Sequence, residues 1–129
     1  VAVELNPYAA KAMKKNVALN KLQNVTAIQG DVRNVLKKYP EWADRVTMPL
    51  PHTGEDFLDS VLDATKNGGI IHFYTFGGQK EGYFRKALQF IRMACKEKGV
   101  GFQIAMKRIV RPYAPYVNQV VVDFRINRK

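Results

Sequence analysis

Apolar residues along the chain alternate between short runs typical of strands and longer stretches with helical spacing. Residues 1–4 form an apolar run that ends in an acid, which predicts the end of a strand. Apolar positions in residues 10–17 recur at intervals of three and four, as on the buried face of a helix. Asn6 is placed to cap this helix, and Pro7 suits its first turn because no amide donor is needed there. We therefore expect a helix from Pro7 that closes within residues 20–24.

The same two patterns predict the remaining elements. Strands are expected at residues 25–29, 44–48, 70–76, 102–110 and 117–126, and helices at residues 32–38, from Thr53 to a stop at residues 67–69, and at residues 83–98. The order β-α-β-α-β-α-β-α-β-β favours an α/β fold with a doubly wound, mostly parallel sheet. The last two strands lack an intervening helix, so we expect them to pair as an antiparallel hairpin.

Length and composition limit the class of protein. The 129 residues, 47% of them apolar, suffice for one domain with one core. There is no apolar run long enough to span a bilayer and no readable secretory signal. The only cysteine, Cys95, is expected as a buried thiol on a helix rather than as a nucleophile, which fits a reducing cytoplasm. Because the chain starts at Val1, inside an apolar run, we expect a fragment of a longer protein.

The charge points to a polyanionic partner. Twenty-one basic and 11 acidic residues give a net charge of +10, which favours phosphate neutralisation. Only two histidines accompany the single cysteine, so we expect no metal site. We expect His52 on a surface loop and His72, inside a predicted strand, in the core.

Acidic residues follow the first two predicted strands, at the edge where open α/β sheets bind ligands. Glu4 is suited to accept both hydroxyls of a ribose, but a solvated acid beside the helix cap Asn6 gives the same pattern. Asp31, after Gly30, is suited to accept a hydrogen bond from the amine of adenine while Val32 covers the ring. A simple helix cap is the alternative, and Asp31 taken alone favours it.

Two further segments carry candidate chemistry. Pro49 and Pro51 make a stiff, donor-poor loop after the third strand, and its carbonyls are available to a planar base. A plain strand terminator is the alternative. Residues 107–116 interleave cations with aromatic rings, as in segments that hold phosphates and stack bases, although a solvated edge hairpin has the same composition.

Five segments in order resemble one known family. They are Glu4-Leu5-Asn6-Pro7-Tyr8-Ala9, Gly30-Asp31-Val32-Arg33, Asp44-Arg45-Val46-Thr47-Met48-Pro49-Leu50-Pro51, Gly68-Gly69-Ile70-Ile71-His72-Phe73-Tyr74-Thr75 and Arg108-Ile109-Val110-Arg111-Pro112-Tyr113-Ala114-Pro115. Over almost the whole chain the sequence resembles the archaeal-type tRNA guanine-N1 methyltransferases that modify position 37. The resemblance implies a Rossmann-like class I methyltransferase fold, S-adenosyl-L-methionine as methyl donor and guanosine in tRNA as acceptor.

The resemblance also implies roles for individual residues. Cofactor-binding residues are Glu4, Leu5, Asn6, Asp31, Val32, Arg33, Met48 and Leu50; catalytic residues are Pro49 and Pro51; RNA-binding residues are Lys107, Arg108, Arg111 and Tyr113. Many family members have Asn where this chain has Pro49, so the side-chain hydrogen bonds of that Asn are lost here. We expect a cytoplasmic monomer with tRNA as partner and no membrane contact.

Three other functions remain open. An aminocarboxypropyl transferase of the wybutosine pathway would use the same cofactor on tRNA. A noncatalytic tRNA-binding fragment would bind tRNA without forming a product, and a small-molecule methyltransferase fits the charge less well. The glycine-rich first strand and loop of the family are absent from the 129 residues, and the missing strand is expected between those ending at Glu4 and Met48. We therefore expect these residues alone to bind the cofactor poorly and to be inactive.

Overall fold

A computed structural model describes all 129 residues. Where the sequence predicts one domain, the structure forms two compact units, residues Val1–Tyr39 and Pro40–Lys129. Each unit has its own hydrogen-bonded sheet, of two strands in the first and four in the second. No helix is long and apolar enough to cross a membrane.

The first unit is a β-α-β arrangement followed by a short helix. Its elements are β1 (Ala2–Glu4), α1 (Pro7–Leu19), β2 (Ala27–Gln29) and α2 (Val32–Val35), which continues as a 3-10 turn over Leu36–Lys38. The strands β1 and β2 are parallel, with Glu4 opposite Gln29. Asn6 caps α1 by accepting hydrogen bonds from the amides of Tyr8 and Ala9, as the sequence predicts.

The second unit is a mixed sheet with two helices. Its elements are β3 (Ala43–Met48), a 3-10 turn (Gly54–Phe57), α3 (Leu58–Ala64), β4 (Thr65–Gly78), α4 (Arg85–Glu97), β5 (Gly101–Ala114) and β6 (Val117–Asn127). The strand order is β3-β4-β6-β5. Strand β3 runs parallel to β4, whereas β6 is antiparallel to both of its neighbours. The predicted terminal hairpin is confirmed, and β6 rather than β5 lies beside β4.

Most of the core of the second unit lies on one face of this sheet. Alternate residues of β4, Ile71 and Phe73, are fully buried, and the residues between them are half-buried. The ring of Phe73 meets that of Phe90 on α4 edge-on at 6.5 Å. Burial of each large apolar side chain contributes about 1.5–3 kcal/mol, so this face holds α4 against the sheet. Cys95 on α4 is buried as expected.

The predicted start of β4 was wrong by five residues. Thr65, inside the helix predicted from Thr53, begins the strand, and its hydroxyl donates to the carbonyl of Val61 at 2.6 Å. The glycine pair expected to stop the helix instead lies in the strand's irregular first part. The register between β3 and β4 shifts there, and Gly68 takes a φ of 78°. Pairing with Ala43 therefore extends the strand beyond its apolar run.

The predicted connection at residues 111–116 was also wrong in extent. Strand β5 continues to Ala114, which pairs with Val117, so the turn consists of Pro115 and Tyr116. Tyr116 takes a positive φ of 62° to close this turn. Arg111 and Tyr113 consequently lie on a strand rather than in a loop.

His72 lies on the sheet face opposite the core, not in the core as expected. Its Nδ1–H donates to Asp123 Oδ1 at 2.7 Å, and its Nε2 accepts from Arg45 Nη1 at 2.8 Å. The local apolar run gave no sign of these partners, because they come from the neighbouring strands β3 and β6.

Candidate functional site

The first unit places two carboxylates at one edge of its sheet. Strands β1 and β2 are parallel, so the residues after Glu4 and after Gln29 emerge at the same end. The amide of Gly30 donates to the carbonyl of Glu4 at 2.9 Å, which fixes the start of the turn that carries Asp31. The structure thus brings Glu4 and Asp31 to adjacent strand ends, as predicted.

Glu4 retains acceptor capacity for a ligand. Its Oε1 accepts from the amide of Asn6 at 2.8 Å, whereas Oε2 accepts no hydrogen bond. The oxygen of the Asn6 side chain is already used to cap α1. Leu5, between them, is 67% exposed and offers an apolar surface next to the carboxylate.

Asp31 is both a helix cap and an ionised acceptor. Its Oδ1 accepts from the amide of Arg33 at 2.9 Å, and its Oδ2 pairs with Arg33 Nη2 at 2.6 Å. Hydrogen bonds from the side chain and then the backbone of Arg33 lower the pKa of Asp31 to about 2. The predicted capping role is therefore confirmed, and the carboxylate stays charged near neutral pH. Since each oxygen has two lone pairs, the cap does not exhaust its accepting capacity.

This set of groups fits the nucleoside part of S-adenosylmethionine. A carboxylate with an unused oxygen suits a ribose diol, and a second, ionised carboxylate suits an exocyclic amine. The apolar side chains of Leu5 and half-buried Val32 suit the faces of an adenine ring. Arg33 is engaged with Asp31, which holds that carboxylate in place.

The second unit carries the proline loop at the end of β3. Met48 is the last residue of the strand and is buried, so its side chain offers little surface to a ligand. Pro49 and Leu50 are exposed and Pro51 is half-buried. The ladder to β4 ends at the pair Met48–Phe73, and neither proline has an amide to donate. The loop is therefore poor in hydrogen-bond donors, as the sequence predicts.

The four predicted RNA-binding residues lie along β5 and are exposed: Lys107, Arg108, Arg111 and Tyr113. Two of the cations already have neighbours. Lys107 Nζ lies 5.6 Å from the centre of the Phe84 ring, and Arg111 Nε donates to Gln119 Oε1 at 2.8 Å. Arg111 is thereby held in a fixed direction on the strand.

Sequence reasoning missed an aromatic cluster beside the proline loop. The rings of His52 and Phe76 are 4.7 Å apart, and those of Phe76 and Tyr113 are 4.2 Å apart. His52 is exposed on a loop, as expected, but its ring contacts were not anticipated. The only available signal was the alternation along β4, which places Phe76 on the face opposite the buried Phe73.

The remaining chemistry of the chain is limited. No group of three or more His, Cys, Asp or Glu side chains is arranged to hold a metal ion. Burial raises the pKa of the Cys95 thiol to about 11, so this thiol is a poor nucleophile.

The fold and the carboxylates at the strand ends define a Rossmann-like, class I methyltransferase domain. The model of the TRM5/TYW2 methyltransferase domain matches residues 1–104, and the chain belongs to this family.

Known relatives of this chain carry two different activities in their names. The tRNA (guanine(37)-N(1))-methyltransferase Trm5b of Pyrococcus abyssi is 36% identical over 126 residues, covering 98% of this chain and 37% of the relative. The tRNA(Phe) (4-demethylwyosine(37)-C(7)) aminocarboxypropyltransferase of Methanocaldococcus jannaschii is 36% identical over 129 residues, covering 98% of this chain and 50% of the relative.

A solved structure supports the fold assignment. The crystal structure of M. jannaschii TYW2 in complex with AdoMet superposes with a TM-score of 0.92 at 32% identity. That match covers 99% of this chain and 57% of the other. The chain thus spans only about a third to just over half of the length of these relatives.

Proposed function

We propose that the protein transfers a methyl group from S-adenosylmethionine to N1 of guanosine 37 in tRNA. The observation that carries this proposal is the pair of carboxylates, Glu4 and Asp31, at adjacent ends of parallel strands in a member of this family. The similarity to Trm5b of P. abyssi supports the choice of guanine N1 as acceptor.

In this proposal the first unit binds the nucleoside part of the cofactor. Glu4 Oε2 accepts from the ribose hydroxyls, and Asp31 accepts from the adenine amine. Leu5 and Val32 cover the ring, while Asn6 and Arg33 hold the two carboxylates through their own hydrogen bonds. In the second unit, Leu50 is exposed and is proposed as a cofactor residue, whereas buried Met48 supports the start of the proline loop. S-adenosylmethionine, when bound, supplies a methyl group activated by its sulfonium.

The proposed task of the proline loop is to orient the target base. Carbonyl oxygens around Pro49 and Pro51 accept hydrogen bonds from the guanine edge, which holds N1 in line with the methyl group. Because the side chain of Pro49 makes no hydrogen bond, base positioning relies here on backbone oxygens. We assign no general base to these residues.

The proposed RNA contact lies on β5. The cations Lys107, Arg108 and Arg111 neutralise phosphates, and Tyr113 offers an exposed ring edge and face to the RNA.

The RNA substrate and the single buried thiol support a cytoplasmic location. We propose that the protein acts on tRNA as a monomer.

We also propose that the 129 residues form the larger, C-terminal part of a methyltransferase domain. In the first unit β1 pairs on one side only, with β2, and in the second β3 pairs on one side only, with β4. An unpaired edge leaves backbone donors and acceptors that a further strand of the complete domain would satisfy. The partial coverage of every reported relative supports this proposal.

A second function has specific support. The aminocarboxypropyltransferase of M. jannaschii is as similar to this chain as the Pyrococcus Trm5b, at 36% identity. That chemistry would use the same nucleoside-binding carboxylates but attach a larger carbon chain to the modified base. The donor-poor proline loop favours methyl transfer.

A label-transfer experiment tests the proposal. The complete protein is incubated with methyl-labelled S-adenosylmethionine and two tRNA transcripts that differ only in having G or A at position 37. We expect label in the first transcript and none in the second. Equal labelling of both transcripts, or of neither, would contradict the proposal.

A further inference from the structure

Three rings from separate segments meet next to the proline loop. His52 directly follows Pro51, Phe76 lies near the end of β4, and Tyr113 lies near the end of β5. The His52 ring is 4.7 Å from Phe76 and meets Tyr113 edge-on at 5.8 Å. The rings of Phe76 and Tyr113 are 4.2 Å apart at an interplanar angle of 34°. The loop is thus tied through one side chain to two strands of the sheet.

The loop needs such an attachment because its backbone provides few hydrogen bonds to hold it on the sheet. The ladder between β3 and β4 ends at Met48, and the prolines at 49 and 51 cannot donate hydrogen bonds. Prolines restrict the shape of the segment but not its placement over the sheet. A ring contact immediately after Pro51 fixes the end of the loop against β4 and β5.

The surface below the rings is itself ordered. Phe76 is paired in register with Gln119 on β6, and Gln119 with Arg111 on β5. Gln119 is buried, and its side-chain oxygen accepts from Arg111 Nε at 2.8 Å. His52 therefore rests on a platform whose own side chains are held across three strands.

We propose that His52 is a positioning residue for methyl transfer, which docks the loop Pro49–Pro51 on the rings of Phe76 and Tyr113. This inference rests on the proposed function, because the loop is the segment assigned to orient the target base. The role of His52 is one of shape: its flat ring fills the space over Phe76, and no proton transfer is required of it.

The role of Tyr113 is refined by the same geometry. One side of its ring is covered by Phe76, yet Tyr113 remains 57% exposed. The hydroxyl edge and outer face remain available to RNA, whereas the inner face belongs to the platform. Loss of the Tyr113 ring is therefore expected to disturb both RNA binding and loop placement, which makes His52 the cleaner position to test.

The test compares three variants of the complete protein. His52→Ala removes the ring, and His52→Phe keeps a flat ring without titratable nitrogens. Met93→Ala removes an apolar side chain on α4 that is 53% exposed and belongs neither to the ring cluster nor to the proposed binding residues. The rate of methyl transfer is measured in single turnovers with tRNA and S-adenosylmethionine saturating. The KM values for tRNA and for S-adenosylmethionine are measured separately at steady state.

We expect His52→Ala to lower the methyl-transfer rate about 10-fold to 100-fold, since misplacement of a reacting group by about 1 Å has an effect of that size. KM for S-adenosylmethionine should stay within about twofold. His52→Phe should restore the rate and its pH profile, and Met93→Ala should match the unaltered protein. An undiminished rate in His52→Ala, or equal loss in His52→Phe, would overturn the inference.

A second readout does not depend on activity. The motion of the Leu50 methyl groups is measured by NMR relaxation in leucine-labelled protein. Their order should be high in the unaltered protein and in His52→Phe, and should fall in His52→Ala. Unchanged Leu50 order in His52→Ala would overturn the role of His52. Absence of methyl transfer in the unaltered protein would instead overturn the proposed function.

Discussion

At the scale of residues, the two carboxylates of the first unit differ in how far their own chain satisfies them. Glu4 uses one oxygen for the amide of Asn6 and keeps the other for a ligand, whereas Asp31 is bound on both oxygens by Arg33. Glu4 is therefore expected to contribute mainly to cofactor binding. Asp31 contributes to the turn as well.

Glu4→Gln is expected to weaken binding of S-adenosylmethionine about 10-fold to 100-fold. Hydrogen bonds to a charged group contribute about 1.5–3 kcal/mol, and the amide replaces one accepting oxygen with a donor. Calorimetry on the complete protein gives the affinity. Glu81→Gln, which neutralises an exposed acid outside the site, serves as the control. Equal affinities of the two variants for S-adenosylmethionine would show that Glu4 does not bind the cofactor.

The second prediction at this scale concerns the titration of Asp31. Its pKa is about 2 because Arg33 binds the charged form, so the ion pair stabilises the fold fully above the ordinary value of 3.8. That stabilisation is lost as the pH falls from about 4 to about 2. In Arg33→Gln the carboxyl should titrate closer to 3.8, as followed by NMR. A midpoint near 3.8 in the unaltered protein would show that the pair does not form.

At the scale of elements, the sequence predicted the features that depend on interactions within a single segment. The cap at Asn6, the proline after it and the helical spacing behind them defined α1, because these interactions lie within one segment. The alternation of apolar residues likewise located the centre of β4. The carboxylates and the proline loop could be proposed as site residues because they directly follow predicted strands.

The errors arose where pairing with a distant strand decides the structure. Thr65 carries a helical signal, yet its pairing with Ala43 makes it part of β4. Residues 111–114 carry turn signals, yet pairing with β6 keeps them extended. The contacts of His52 and His72 depend on the same long-range register. No local pattern contains that information, so the aromatic cluster could not be predicted.

The hairpin of β5 and β6 is the element expected to bind RNA. Replacing Lys107, Arg108 and Arg111 by Gln should weaken tRNA binding. The slope of the logarithm of the binding constant against the logarithm of the salt concentration should become shallower by up to about three, because each lost phosphate contact lowers that slope by about 0.7–0.9. Binding is measured across a salt series. Replacing Lys11, Lys14 and Lys15 of α1 by Gln makes the same change in net charge. If both triple variants behaved alike, general charge rather than the hairpin would account for binding.

At the scale of the whole molecule, the chain consists of two units with separate sheets, and β1 and β3 each have one unpaired edge. The order of elements in the sequence predicted the doubly wound class, and a further strand remains a prediction of the family resemblance. The division into two units was not predicted, because apolar content gives the size of a core but not the continuity of a sheet.

The 129 residues alone are expected to bind S-adenosylmethionine more weakly than micromolar. We expect a further strand to be needed to order the strand ends assigned to the cofactor. Calorimetry on the isolated segment, beside the complete protein under the same conditions, measures the difference. Micromolar binding by the segment alone would refute the need for a further strand.

Nucleoside analysis of the reacted tRNA by mass spectrometry tests the central claim most directly. The complete protein is incubated with S-adenosylmethionine and a tRNA that carries G at position 37, and the tRNA is then digested to nucleosides. The account predicts a guanosine heavier by one methyl group, with the retention time of 1-methylguanosine. A nucleoside carrying an aminocarboxypropyl group, or no product that depends on the cofactor, would contradict it.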